Sequence, residues 1–212
     1  MKIVVTRPRG QAEALAERLE LLGHEVVLCP LVELQALGRG PVDVGGYDWV
    51  VLTSPNGAAE LLRRRQGTLP RVAAIGPGTA AALAGGGVQP DLVPEVSTQE
   101  GLLAELPRPA GRVLLAAAEG ARRLLVDELG ADFVPLYRAV ELRPAEAPDG
   151  DLVVLASASA ARSFAALRSP MPAVSIGPQT TRAAEELGVR VLAEASTHDL
   201  DGLVAAVARV AV

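Results

Sequence analysis

The segment Ala74-Ile75-Gly76-Pro77-Gly78-Thr79-Ala80 returns as Ser175-Ile176-Gly177-Pro178-Gln179-Thr180-Thr181, so that Ile176 stands 101 positions after Ile75. Each copy reads as a β-strand that ends in a Gly-Pro turn and opens a helix. Pro fits the first turn because its missing N–H has no helical partner there, and the Thr is placed to cap the start. Helix starts expose main-chain N–H groups and a partial positive charge, which suits a carboxylate or phosphate. Two matched turns predict two anion-holding half-sites.

The repeat is wider than this turn. Val51-Leu52-Thr53-Ser54-Pro55-Asn56-Gly57-Ala58 is echoed by Val154-Leu155-Ala156-Ser157-Ala158-Ser159-Ala160-Ala161, and Glu95-Val96-Ser97-Thr98 by Glu194-Ala195-Ser196-Thr197. An outer pair runs from Lys2 to Leu34 and from Arg112 to Leu142, with Cys29-Pro30-Leu31-Val32 facing Val134-Pro135-Leu136-Tyr137. The order is A, B, A′, B′, which divides the 212 residues into two domains of ordinary size.

Short apolar strands are expected at Ile3 to Thr6, Glu25 to Cys29, Trp49 to Thr53, Val72 to Ile75, Val113 to Ala116, Phe133 to Leu136, Leu152 to Ala156, Ala173 to Ile176 and Arg190 to Leu192. Ala-rich and Leu-rich helices separate most of them, the first spanning Gln11 to Leu22. This alternation predicts parallel sheets covered on both faces. Leu31 to Leu37 and Tyr137 to Leu142 read as extended linkers. Spacing leaves two arrangements open: A folds with B, or A completes B′.

Ligands of open α/β sheets bind beyond the carboxyl ends of the strands. The polar residues expected there are Arg7, Thr53, Ser54, Asn56, Gly76, Gly78 and Thr79, with Ser157, Ser159, Gly177, Gln179 and Thr180 as the later counterparts. Taken singly, each Ser or Thr is an ordinary cap; repeated in both halves, the rim points to a small-molecule site. Tyr137, one of only two tyrosines, enters a linker at a strand end, either packing there or facing the space between domains.

Several function classes are disfavoured. A net charge of −5 and an aromatic content of 2% lack the electrostatic field and the stacking platforms for nucleic acid. The run Met1 to Thr6 is too short for a signal sequence or a membrane span, which predicts a cytoplasmic protein without membrane attachment. His24 has no neighbouring His or Cys, so no metal is expected. Cys29, the single cysteine, reads as a strand residue. Ser196-Thr197-His198-Asp199 reads as a helix start rather than a catalytic triad. Gly85-Gly86-Gly87 lacks the Lys-Ser/Thr of a phosphate-binding loop and suits a helix end. Arg63-Arg64-Arg65 and Arg122-Arg123 read as solvated faces of helices.

In order along the chain, Val4-Val5-Thr6-Arg7-Pro8, Leu52-Thr53-Ser54-Pro55-Asn56-Gly57, the first Gly-Pro turn, Leu136-Tyr137-Arg138 and the second Gly-Pro turn together resemble the uroporphyrinogen-III synthase family. The resemblance implies two parallel-sheet α/β domains of similar topology joined by a two-stranded β linker across a cleft. Domain 1 would be 1-34 plus 149-212, domain 2 would be 41-138, and the linkers 31-40 and 137-148. It implies an enzyme that closes hydroxymethylbilane, a linear tetrapyrrole polycarboxylate, to uroporphyrinogen III. Water is lost and ring D is inverted through a spiro intermediate, with no cofactor and no metal; a monomer is expected. Tyr137 matches the family's tyrosine that assists departure of hydroxide. Ala116-Ala117-Ala118-Glu119-Gly120 and Ala158 depart from the family pattern. A non-catalytic two-domain binding protein for an anionic small molecule is the rival reading.

Overall fold

The computed structural model describes residues 1–210, so the last two positions of the expected range 149–212 lie outside the described residues. Contacts divide the chain into two units, Met1–Leu34 with the segment beginning at Ala139, and Gln35–Arg138.

In the first unit, β1 (Lys2–Val5), α1 (Glu13–Leu21) and β2 (Glu25–Leu28) form a βαβ start. From the carboxy-terminal part come β10 (Leu152–Leu155), α6 (Ala158–Ala166), β11 (Ala173–Ser175), α7 (Pro178–Glu185), β12 (Val191–Glu194) and α8 (Leu200–Val210). The sheet runs β12-β11-β10-β1-β2, every neighbour parallel. Strand side chains alternate between faces, which explains why Ile3 and Val5 pack with Leu15, Leu19 and Leu203, whereas Val4 packs with Ala161 and Phe164 on the other side. Each Leu or Val fully removed from water on these two faces contributes about 1.5–3 kcal/mol.

The second unit repeats the plan. Its elements are β4 (Val42–Asp43), β5 (Trp49–Leu52), α2 (Pro55–Arg64), β6 (Arg65–Gln66), β7 (Arg71–Ala74), α3 (Pro77–Gly85), α4 (Gln99–Glu105), β8 (Val113–Ala118) and α5 (Leu124–Leu129). The sheet order is β3-β9-β8-β5-β7, where β3 is Val32–Ala36 and β9 is Asp132–Glu141. Thus β8 lies beside β5 in this unit as β1 lies beside β10 in the first: segment A pairs with B′, and A′ with B. The boundary between units falls inside both β3 and β9. Leu142 N–H bonds Leu31 O at 2.9 Å and Leu37 N–H bonds Leu136 O at 2.8 Å, a pairing in which the numbers run in opposite directions. This antiparallel ladder extends β9 to ten residues, well past the expected Phe133 to Leu136.

Other differences are local. The helix expected from Gln11 starts at Glu13: Gln11 belongs to the preceding turn, its N–H bonding Pro8 O at 3.0 Å, and Ala12 stands at the cap position without a side-chain cap. The β4–β6 pair is two residues deep, too short for any periodicity to reveal. Arg64 is not on a solvated face: it is buried and donates to Leu37 O at 2.7 Å and Gly40 O at 2.8 Å, tying down the segment after β3. Arg122 and Arg123 precede α5 rather than lying on a helix. Arg122 grips Glu100 with two hydrogen bonds of 2.6 and 2.9 Å, and Arg123 stacks on Phe133. Cys29 follows β2, half-buried, and burial pushes its thiol up, away from the reactive thiolate.

Candidate functional site

In the second unit, α2 and α3 start at the carboxyl ends of β5 and β7. Ser54 caps α2, its Oγ accepting the Gly57 N–H at 3.0 Å, with Pro55 at the first helical position. Thr53 and Asn56 flank that cap, both half-buried. A residue with a Cβ at position 57 would stand 3.4 Å from Ala116 O, so Gly57 lets the helix start settle against β8.

The Gly-Pro turns behave alike in the two units, and differently from expectation. Gly76 and Gly177, not the threonines, occupy the cap positions, in extended backbone and without a side-chain cap. Thr79 and Thr180 are buried in the first helical turn, and their own N–H groups bond Gly76 O at 3.1 Å and Gly177 O at 3.0 Å. Pro77 and Pro178 carry no N–H. What each turn presents outward is therefore a short exposed step, Pro77-Gly78 in one unit and Pro178-Gln179 in the other, with one first-turn amide apiece. Ser97 closes over Gly76, where an added Cβ would meet its Oγ at 2.5 Å. His198 closes over Gly177 in the same way, its ring at 2.7 Å.

Tyr137 is aimed by an irregularity in the β8–β9 ladder. Ala117 pairs with Pro135 but Ala118 pairs with Tyr137, so Leu136 is an extra residue on β9. Regular alternation would send Leu136 and Tyr137 to opposite faces. The bulge lets both pack with the cluster under α2 that holds Ala58 and Leu61. The phenol consequently reaches the start of that helix, its Oη 2.9 Å from Ser54 Oγ. Of the Ala116–Gly120 segment, Ala116 to Ala118 complete β8, and Glu119 N–H bonds Tyr137 O at 2.8 Å.

In the first unit, Ser157 caps α6 by accepting the Ala160 N–H at 3.1 Å. Ser159 is engaged by Arg162 at 3.0 Å, and Arg162 also holds Glu141 at 2.7 Å. Thr6, beyond β1, is buried and donates to Val154 O at 2.7 Å. Next to it, Arg7 is half-buried with its Nε shielded from solvent and lacking a hydrogen-bond partner among the described residues. Burial pushes its guanidinium below the ordinary arginine value, though it stays a cation. Sequence reasoning passed over Thr181, whose hydroxyl lies 2.6 Å from Ser175 Oγ and bonds the Glu194 carboxylate. The signal was there: Thr181 stands where the first copy has Ala80. Among the described residues, no group of three or more His, Cys, Asp and Glu side chains is placed to hold a metal ion, and no helix is long and apolar enough to cross a membrane.

Two units of related α/β topology, each with caps and Gly-Pro turns on the carboxyl edge of its sheet, define a duplicated α/β protein. The family model described as uroporphyrinogen-III synthase HemD matches residues 13–205, and the chain belongs to that family. A uroporphyrinogen-III synthase of Synechococcus elongatus is 28% identical over 97% of this chain and 93% of its own. The solved uroporphyrinogen-III synthetase of Helicobacter pylori shares the fold with a TM-score of 0.66 at 19% identity, covering 99% of both chains. A mutant uroporphyrinogen III synthase of Thermus thermophilus does so with a TM-score of 0.63 at 20% identity, covering 99% of this chain and 98% of its own.

Proposed function

We propose that this chain closes hydroxymethylbilane to uroporphyrinogen III, with loss of water and inversion of ring D through a spiro intermediate. The observation that carries the reading is the Tyr137 phenol, brought by a strand bulge to the capped start of α2. Tyr137 gives its phenolic proton to the substrate's departing hydroxyl as the carbon–oxygen bond breaks with its electron pair, and water leaves. The substituted α-carbon of ring D attacks the methylene carbon of the resulting azafulvene and forms the spiro intermediate. That intermediate opens by breaking the older bond from this ring D carbon to its bridging methylene, which leaves a second azafulvene. The free α-carbon of ring D attacks it, and the proton that carbon then loses restores the phenol.

Within each unit a separate feature suits a carboxylate arm: in the second the first-turn amide at Gly78, in the first the amide at Gln179 and the Arg7 guanidinium, whose buried Nε has no hydrogen-bond partner among the described residues. Thr79 and Thr180 support these turns by packing. Thr53, Ser54, Asn56, Ser157, Ser159, Gly76 and Gly177 shape the same edges. A net charge of −5 with 2% aromatic residues supports a small-molecule substrate rather than nucleic acid, and a cytoplasmic monomer is the working form we infer.

The test is to incubate the protein with freshly prepared hydroxymethylbilane and separate isomers I and III. Isomer III in excess of the protein establishes turnover. Isomer I alone, at the spontaneous rate and with tetrapyrrole retained on the protein, would make the chain a binding protein instead.

A further inference from the structure

Ser54 has two partners, and its role as a helix cap accounts for one. Its Oγ accepts the Gly57 N–H at 3.0 Å, which any N-cap serine would do, and it also lies 2.9 Å from Tyr137 Oη. A hydroxyl has one proton to give. If the phenol gave its proton to Ser54, that proton would be held inside the protein. If Ser54 gives, the phenolic O–H is left to point away from the helix. The Gly57 N–H and the positive end of the ten-residue helix α2 polarise Ser54 toward giving.

The duplication separates the two roles. Ser157 caps α6 with the same geometry, accepting the Ala160 N–H at 3.1 Å. Yet the position matching Tyr137 in the repeated Cys29-Pro30-Leu31-Val32 segment is Val32, which is buried in the cluster with Ala160 and has no hydroxyl to receive a bond. Capping is thus common to both units, while the serine–phenol bond belongs to the second alone.

We propose that Ser54 is a positioning residue for Tyr137: the relay Gly57 N–H to Ser54 Oγ–H to Tyr137 Oη fixes the phenol as donor to the departing hydroxyl and then holds the phenolate it becomes. In that step the phenolic proton joins the hydroxyl oxygen as the carbon–oxygen bond breaks. Water departs, and the Ser54 bond becomes charge-assisted, hence stronger in the transition state than before it. The inference rests on the reading of Tyr137 as the proton donor.

The experiment compares Ser54→Gly and Ser54→Thr in the wild-type and the Tyr137→Phe backgrounds, measuring kcat and KM for isomer III formation and the thermal midpoint of each protein. Gly serves nearly as well as Ser at a cap but has no hydroxyl. In the wild-type background Ser54→Gly should lower kcat by about tenfold, with KM within about twofold. Ser54→Thr should restore most of that loss, and Ser54→Gly should cost nothing further once Tyr137 is Phe. Such non-additivity is the signature of two groups acting as a unit. Equal losses in both backgrounds, or a loss confined to KM, would reduce Ser54 to a cap and overturn the inference while leaving Tyr137 in place. Undiminished isomer III formation by Tyr137→Phe itself would remove the tyrosine from the mechanism, and Ser54 with it.

Discussion

At Arg7 the sequence and the structure meet over a single atom. The motif Thr6-Arg7-Pro8 placed an arginine beyond a strand end, but could not show that its Nε would be buried without a hydrogen-bond partner among the described residues. A buried unsatisfied donor costs about 1–3 kcal/mol, a penalty that a substrate carboxylate reaching Arg7 would remove. Arg7→Met keeps most of the apolar stem and discards the donor. We expect its thermal midpoint to stay level or rise, while KM for hydroxymethylbilane rises about tenfold and kcat changes less. A drop in stability with unchanged KM would show that Arg7 serves the fold alone. Ser54 and Tyr137 were likewise legible as residues, but their bond was not. It depends on a bulge at Leu136, and a one-residue bulge leaves no trace in an alternation that short.

At the scale of elements, the repeated turns were readable and their full register was not. The matching of Glu95-Val96-Ser97-Thr98 with Glu194-Ala195-Ser196-Thr197 rests on identity of letters, whereas the structure keeps the 101-residue offset of the Gly-Pro turns. Thr98 caps α4 by accepting the Gly101 N–H at 3.1 Å, and Asp199, not Thr197, accepts the Gly202 N–H at 2.8 Å at the start of α8. Ser97 over Gly76 and His198 over Gly177 obey the same offset. A hydroxyl and a carboxylate do one job here, which letter matching cannot see. The two glycines share a reason too: a Cβ on Gly101 would overlap the Val96 carbonyl oxygen, and one on Gly202 the Thr197 carbonyl oxygen. Neither oxygen can yield without moving the loop that enters the helix. Gly101→Ala and Gly202→Ala should each destabilise by about 1–3 kcal/mol, read as a lower midpoint in urea. Gly85→Ala is the contrast, since position 85 closes α3 with open space around it and should be neutral or slightly stabilising. Equal effects at all three positions would mean that close approach is not what selects glycine.

For the whole molecule, the strand sequence was readable because each strand is a short apolar run between helices. Which strands would share a sheet was not, since β1 and β10 meet across nearly 150 residues through pairings that no local pattern encodes. Each of the two units also carries an acid-sensitive fastening. In the second, the Arg122 guanidinium beside Glu100 holds that carboxyl at about 2, against an ordinary 4.5. In the first, the Gly202 N–H and the Thr197 hydroxyl hold Asp199 below its ordinary 3.8. A carboxyl whose folded pKa is depressed contributes stability that is complete above its unfolded pKa and is lost as pH falls toward the folded one. The window for Glu100 therefore runs from 4.5 down to about 2, and Asp199 adds to the loss below 3.8. The thermal midpoint should fall between about pH 5 and pH 3. Arg122→Gln removes the cause of the Glu100 shift, and Asp199→Asn keeps a cap acceptor without a charge. Together they should lower the midpoint at neutral pH yet flatten its decline in acid. Added salt of about 0.5 M should mimic Arg122→Gln more than Asp199→Asn, because an exposed ion pair is screened while a short cap bond to backbone is not. An acid decline of undiminished steepness in the double variant would place the sensitivity in other carboxylates, with Glu60 beside Arg63 the next to examine.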